Sequence, residues 1–128
     1  MVHAQVAIPT GITGTTAVLC INHACSGGTF QAPSPTPSMD YYPGVLTGNF
    51  DANVIADPNV HPGLIDFQIY VPSLGPDTES LVYIDGDVYS VTIVDAAGTL
   101  LLDVMRSVTY SPYGTPGCGQ HRSLQLDF

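Results

Sequence analysis

The chain contains no lysine and no tryptophan, and its only arginines are Arg106 and Arg122. A phosphate backbone needs several cationic contacts for useful affinity, so a nucleic-acid partner is not expected. Attraction to an anionic membrane surface fails on the same ground. Lysine–asparagine isopeptide cross-links are chemically impossible. Long apolar runs are missing too. No stretch approaches the roughly 18 apolar residues that carry a helix across a bilayer, so membrane insertion is not expected. The segment Met1–Thr10 lacks a basic n-region and a long apolar h-region, so it does not read as a signal peptide. Two expectations fit this. The chain is a mature exported domain with a start codon added, or a protein made without a signal, as a virion component is.

Catalytic motifs are equally scarce. There is no G-x-S-x-G elbow, no Walker loop, no dinucleotide fingerprint and no H-E-x-x-H. Cys118 and His121 have the spacing of a nucleophile and its base, but only their nearness in sequence suggests that role. The chain reads as non-enzymatic.

What is present describes one domain over residues 1–128, rich in strands. Hydrophobic residues make up 45% of the chain and charged residues only 10%. That is enough apolar material for one core and argues against disorder. Eleven carboxylates against two arginines give a formal net charge of −9 and a sequence pI of about 4.2. Thirteen glycines and eleven prolines are spread as punctuation, which suits short strands and turns.

Helical periodicity is nearly absent, whereas period-two alternation is frequent. It predicts strands near Ala4–Ile8, Thr16–Ile21, Gly28–Ala32, Ala52–Ala56, Leu64–Val71, Glu79–Ile84, Asp87–Val94, Thr99–Tyr110 and Arg122–Phe128. In Leu64–Val71, Phe67, Ile69 and Val71 share one face, while Asp66, Gln68 and Tyr70 share the other, the pattern of a half-buried antiparallel strand. Asp85-Gly86 lies between two apolar runs, a strong two-residue hairpin signal. With a second turn at Asp95–Gly98 it predicts a three-stranded meander over Leu81–Val104. Pro33, Pro35, Pro37 and Pro43 place Pro33–Pro43 on a long surface loop, and Val60–Pro62 and Pro72–Asp77 read as further loops. The expected fold is an all-β antiparallel sandwich, immunoglobulin-like or jelly-roll-like, of about seven to nine strands with long Pro/Gly-rich loops.

The stretch Tyr89-Ser90-Val91-Thr92-Ile93-Val94-Asp95-Ala96-Ala97-Gly98 resembles the strand–turn ending of bacterial immunoglobulin-like and fibronectin-III-like surface modules. The resemblance implies an extracellular adhesive or spacer module. It covers these residues alone and carries no functional residue with it.

Three cysteines and four histidines offer two chemistries. If Asn22-His23 forms a two-residue turn, Ile21 faces Ala24 and Cys20 faces Cys25 in a non-hydrogen-bonded pair. There the Cα atoms lie about 4.5 Å apart, short but compatible with a disulfide. Such a bond implies an oxidising compartment; the alternative is a set of reduced, core-filling cysteines. Cys118 is left over, open to a bridge with Cys20 or Cys25 or to an intermolecular bond. The second chemistry is zinc. Cys20-x-x-His23 and Cys118-x-x-His121 have matching spacing and together supply a tetrahedral ligand set. His3 and His61 read as surface residues. Asp77, Glu79, Asp85 and Asp87 gather around one turn and offer hard oxygens to calcium, although the EF-hand pattern is absent and turns favour Asp in any case.

Of seven tyrosines, Tyr41, Tyr42, Tyr110 and Tyr113 lie beside prolines in segments that read as exposed. They are the candidate contacts for a protein or glycan partner; the competing role is to pack loops onto the sheet. Two functions follow as expectations. One is an extracellular or cell-surface module that binds a protein or glycan or spaces another domain. The other is a self-assembling homo-oligomer, such as a virion decoration protein or a filament subunit.

Overall fold

The computed structural model describes residues 1–8, 11–31, 41–70, 85–113, 121–123 and 125–128, with the backbone alone for 111–113 and 121–123. The described residues contain eleven strands and no helix: β1 (Val2–Val6), β2 (Thr16–Ile21), β3 (Ala24–Thr29), β4 (Tyr42–Gly48), β5 (Ala52–His61), β6 (Leu64–Tyr70), β7 (Val88–Val94), β8 (Leu100–Ser107), β9 (Ser111–Tyr113), β10 (His121–Ser123) and β11 (Leu126–Asp127). Nine form one curled sheet in the order β11-β1-β6-β5-β4-β3-β2-β7-β8, and β9 and β10 pair separately. Every pairing is antiparallel except β1 with β11, which is parallel, so the sheet is mixed rather than purely antiparallel.

Alternation decides which face is buried. Val2, Ala4 and Val6 of β1, Ala17, Leu19 and Ile21 of β2, Val54 and Ala56 of β5, Phe67 and Ile69 of β6, and Tyr89, Val91 and Ile93 of β7 all point into one core. Phe30, just past β3, meets Phe67 edge to face with ring centroids 5.8 Å apart. The sheet curls between β3 and β4, where only Ser26↔Gly48 and Gly27↔Thr47 pair. Two glycines permit this close approach. A Cβ on Gly28 would stand 2.4 Å from the Val45 carbonyl oxygen, and one on Gly48, at φ +148°, 2.7 Å from that of Cys25. The buried Ser26 hydroxyl fastens the corner by accepting the Phe50 N–H at 3.0 Å.

The two ends of the strand order come together through one cation. Arg106 on β8 donates to the Asp127 carbonyl of β11 at 2.7 Å, and its guanidinium lies 5.5 Å from the centre of the Phe128 ring.

Several expected boundaries shift. The strand expected at Gly28–Ala32 is β3, Ala24–Thr29, and Thr99–Tyr110 shortens to β8. Arg122–Phe128 resolves into parts of β10 and β11. Tyr42 and Pro43, expected at the end of a loop, open β4, and Val60 and His61 close β5. Residues 33–40 of the proline-rich loop, Pro72–Asp77 and Glu79–Ile84 lie outside the described residues. The Asp95–Gly98 turn does join β7 to β8, with the Asp95 carboxylate accepting the Ala97 and Thr99 N–H groups at 3.0 and 2.8 Å. The meander's first strand, Leu81–Ile84, lies outside the described residues. Within them β7 has β2 along one edge and β8 along the other, and in the Asp85-Gly86 turn the Gly86 N–H bonds the Val108 carbonyl at 2.9 Å.

Candidate functional site

Three groups of side chains carry chemistry. The first lies where the β2–β3 hairpin meets the start of β7. Cys20 faces Cys25 and Ile21 faces Ala24, in the expected register. The Cα atoms of the two cysteines are 4.0 Å apart and their sulfurs 2.03 Å, a disulfide distance. Asn22 takes the turn at φ +56°, a conformation asparagine tolerates better than most residues. Its side chain then clamps the next strand: the amide nitrogen donates to Asp87 at 3.0 Å and the amide oxygen accepts the Val88 N–H at 2.9 Å. The buried Asp87 carboxylate also accepts the Tyr110 hydroxyl at 2.8 Å. The Tyr110 and Tyr89 hydroxyls lie 2.8 Å apart, and Asp85 accepts the Tyr110 N–H at 3.0 Å.

Burial in this network disfavours phenolate. The Tyr89 phenol is pushed up to about 12, chiefly by desolvation and further by the Asp87 charge, against a lowering from its hydrogen bond with Tyr110. The Tyr110 phenol rises further still, from desolvation and then from its hydrogen bonds with Tyr89 and Asp87. Both tyrosines are held neutral across the physiological range, as structural donors.

The second group sits on the outer face of β1, β6 and β11. The His3 ring bonds the Asp66 carboxylate through Nε2 and Asp127 Oδ1 through Nδ1 at 3.1 Å. Gln68 donates to Asp66 at 3.0 Å, and Tyr70 donates to Gln68 at 3.0 Å. His3 beside a buried Asp66 has two members of a hydrolase triad. Both ring nitrogens, however, already face carboxylates, so in this arrangement neither can take a proton from a nucleophile. The group ties the C-terminal strand to the sheet. Nearby, burial lowers the Met1 amine below its ordinary value, and the Asp127 charge partly offsets this.

The third is a shallow depression of about 320 Å³ lined by Asn22, His23, Val88, Ser90 and Met105. None of these five residues carries a carboxyl group.

The expected site residues distribute unevenly over these groups. Tyr110 is not an exposed contact: it is buried, because its hydroxyl has Tyr89 and Asp87 as partners. Tyr41 and Tyr42 are half-buried, and Tyr42 packs against the core. The Tyr113 side chain lies outside the described residues. So does Cys118, and of His121 only the backbone is described, so the zinc set cannot be assembled from what is described; Cys20 has its sulfur against that of Cys25. Asp77 and Glu79 of the calcium set are likewise outside, and Asp85 and Asp87 are engaged by Tyr110 and Asn22. Among the described residues no three metal-binding side chains gather, and no helix is long and apolar enough to cross a membrane. His61 is exposed, whereas His3 is half-buried. Sequence reasoning missed Asn22 and Asp66. Asn22 carries a readable signal, being a turn asparagine between two strands; Asp66 occupies an outward position that alternation assigns to solvent. No family model, no curated protein and no solved structure matches the chain.

Proposed function

We propose that the chain is a non-enzymatic β-sandwich module, immunoglobulin-like or jelly-roll-like, that works outside the reducing cytosol, at a cell surface or in the extracellular space. It would bind a protein or glycan there, or space another domain. The observation that carries this reading is the Cys20–Cys25 pair at disulfide distance across a two-residue turn, since such bonds persist in oxidising compartments. Support for a closed sandwich comes from Arg106, which joins the two ends of the strand order, and from the ring contact between Phe30 and Phe67 inside the curl. The half-buried Tyr41 and Tyr42 are the candidate contacts. Mass measurement after alkylation under non-reducing conditions tests the compartment. One adduct before reduction and three after it are expected; three adducts without reduction remove the reading's main support.

The second reading is an assembly protein, a virion decoration protein or filament subunit. It is favoured by the tip of the β5–β6 hairpin, where Val60 is 45% exposed, an apolar group that a neighbouring copy would cover. The β4 ladder stops at Tyr42↔Ala56 and the β1 ladder at Val6↔Ile65.

A further inference from the structure

We infer that His3 is a proton-operated clasp: its ring holds the C-terminal strand β11 on β1 while it carries both protons, and the strand loosens when the second is lost. Hydrogen-bond stoichiometry carries this, independently of both readings above. Nε2 faces Asp66 Oδ1, and Nδ1 faces Asp127 Oδ1 at 3.1 Å. A carboxylate only accepts, so two such bonds need two N–H donors. A neutral imidazole has one and the imidazolium has two. Histidine is the side chain that ordinarily changes charge between about pH 5 and 8.

The two contacts are unequal, which decides which one is lost. The Asp66 side chain is 3% exposed and that of Asp127 67%. Asp66 also accepts from Gln68 at 3.0 Å. A buried carboxylate deprived of its charged partner is strongly unfavourable, so the neutral ring keeps its hydrogen on Nε2. Nδ1 then turns a lone pair toward the Asp127 carboxylate, acceptor against acceptor. Asp127 belongs to a strand of two residues, paired Val2↔Leu126 and His3↔Asp127. The Leu126 N–H bonds the Met1 carbonyl at 3.0 Å and the Phe128 N–H the His3 carbonyl at 2.8 Å. An element this short opens at low free energy, so one side-chain contact shifts its docking measurably. Its loosening also releases the Asp127 carbonyl and the Phe128 ring from Arg106, undoing the joint between the two ends of the strand order. The other charged groups around the ring are Asp57 of β5, opposite Asp66, the Arg106 guanidinium of β8, and the Met1 amine, which interacts with Asp127. Of these only the amine titrates near the same range, so it has to be separated from His3.

Hydrogen exchange of the Leu126 and Phe128 amides at about pH 5 and about pH 8, corrected for intrinsic exchange, reads the opening of β11. Opening should rise about fivefold from the lower pH to the higher, the effect of losing a partly exposed charge pair, while the Leu19 amide shows no such rise. In His3→Gln the opening should be the same at both, and no smaller than in the wild type at the higher pH. Asp127→Asn should stay docked at both, because an amide donates to the Nδ1 lone pair as readily as it accepts from the N–H. Equal opening at both pH values in the wild type overturns the clasp. So does a rise that survives in His3→Gln, which places the titration on the Met1 amine, or one that survives in Asp127→Asn. Should His3→Gln fail to fold, the ring nitrogen shifts of wild-type His3 decide: opening must follow loss of the Nδ1 proton, and a different midpoint overturns the clasp.

Discussion

Two of the molecule's hairpins, β2–β3 and β5–β6, are built on opposite plans. The β2–β3 hairpin turns in two residues, has a cysteine pair across it, and is fastened to β7 by the Asn22 side chain and the buried Asp87. The β5–β6 hairpin is longer, loses register between Asp57 and His61, and ends in five consecutive exposed residues. Turn chemistry is favourable in both, so it does not explain the contrast. What differs is how many groups outside the hairpin hold it. A segment with few buried contacts and solvent-exposed backbone bonds opens at low free energy, whereas a cross-braced one opens only with the whole domain.

Removing the brace should give the largest effect. Asp87→Ala leaves the buried Tyr110 hydroxyl and the Asn22 amide without their shared acceptor. Hydrogen bonds to charged groups contribute about 1.5–3 kcal/mol each, so the loss should be about 3 kcal/mol or more in urea denaturation. A loss under 1 kcal/mol would show that the hairpin stands without its brace. Replacing both Cys20 and Cys25 by alanine should have the next largest effect, roughly 2 kcal/mol, because the closed loop is short. That comparison requires the oxidised wild type as reference, and an unchanged midpoint would mean the pair contributes nothing.

The same contrast shows what can be read from the chain and what cannot. The β2–β3 register is legible because turn length and alternation are local: once Asn22-His23 is a two-residue turn, Cys20 must face Cys25. The inward faces of β2, β6 and β7 are legible for the same reason. Strand β4 is hidden behind Pro43, which the proline pattern places at the end of a loop. The structure accommodates Pro43 because it pairs with Ile55 on one side, while β4 meets β3 only at Thr47 and Gly48. A missing N–H is tolerated where one edge of a strand is unpaired. Pro58 similarly falls in the irregular stretch of β5. Tyr110 was misplaced because its partners, Tyr89 and Asp87, are distant in sequence and no local pattern announces them. Asp66 was assigned to solvent because alternation tells which face a residue takes, not what later covers that face.

Alkaline pH gives a subtler probe of the braced end. The Tyr89 phenol ionises near 12 when folded and near 10 when unfolded. Between those values the unfolded chain has released a proton that the folded chain retains, so unfolding is favoured as pH rises. The contribution is complete below pH 10 and is lost as pH climbs toward 12. Phenolate absorbance at pH 11 should therefore show Tyr89 silent while exposed tyrosines titrate. In Tyr110→Phe, which removes the neighbouring hydroxyl, the midpoint of the alkaline unfolding transition should shift. If Tyr89 titrates with the exposed tyrosines in the native protein, the buried network is looser than its distances imply.

The smallest effect should come from the exposed tip of the β5–β6 hairpin, and its smallness is what makes it informative. A Gly-Ser pair inserted between Pro62 and Gly63 lengthens an exposed turn, in which a Cβ built on Gly63 would meet no atom within 4 Å. Loop closure grows only slowly with length, so urea stability should change by less than about 0.5 kcal/mol. Hydrogen exchange should separate the two hairpins more sharply. The amides of Val60, His61 and Gly63 should exchange by local opening at a rate indifferent to urea, while Leu19 and Ile21 exchange with global unfolding. Matching protection in the two hairpins would mean that something covers the β5–β6 tip in the isolated protein. A large destabilisation from the insertion would mean the same. In either case the tip would be structural rather than available to a neighbouring copy.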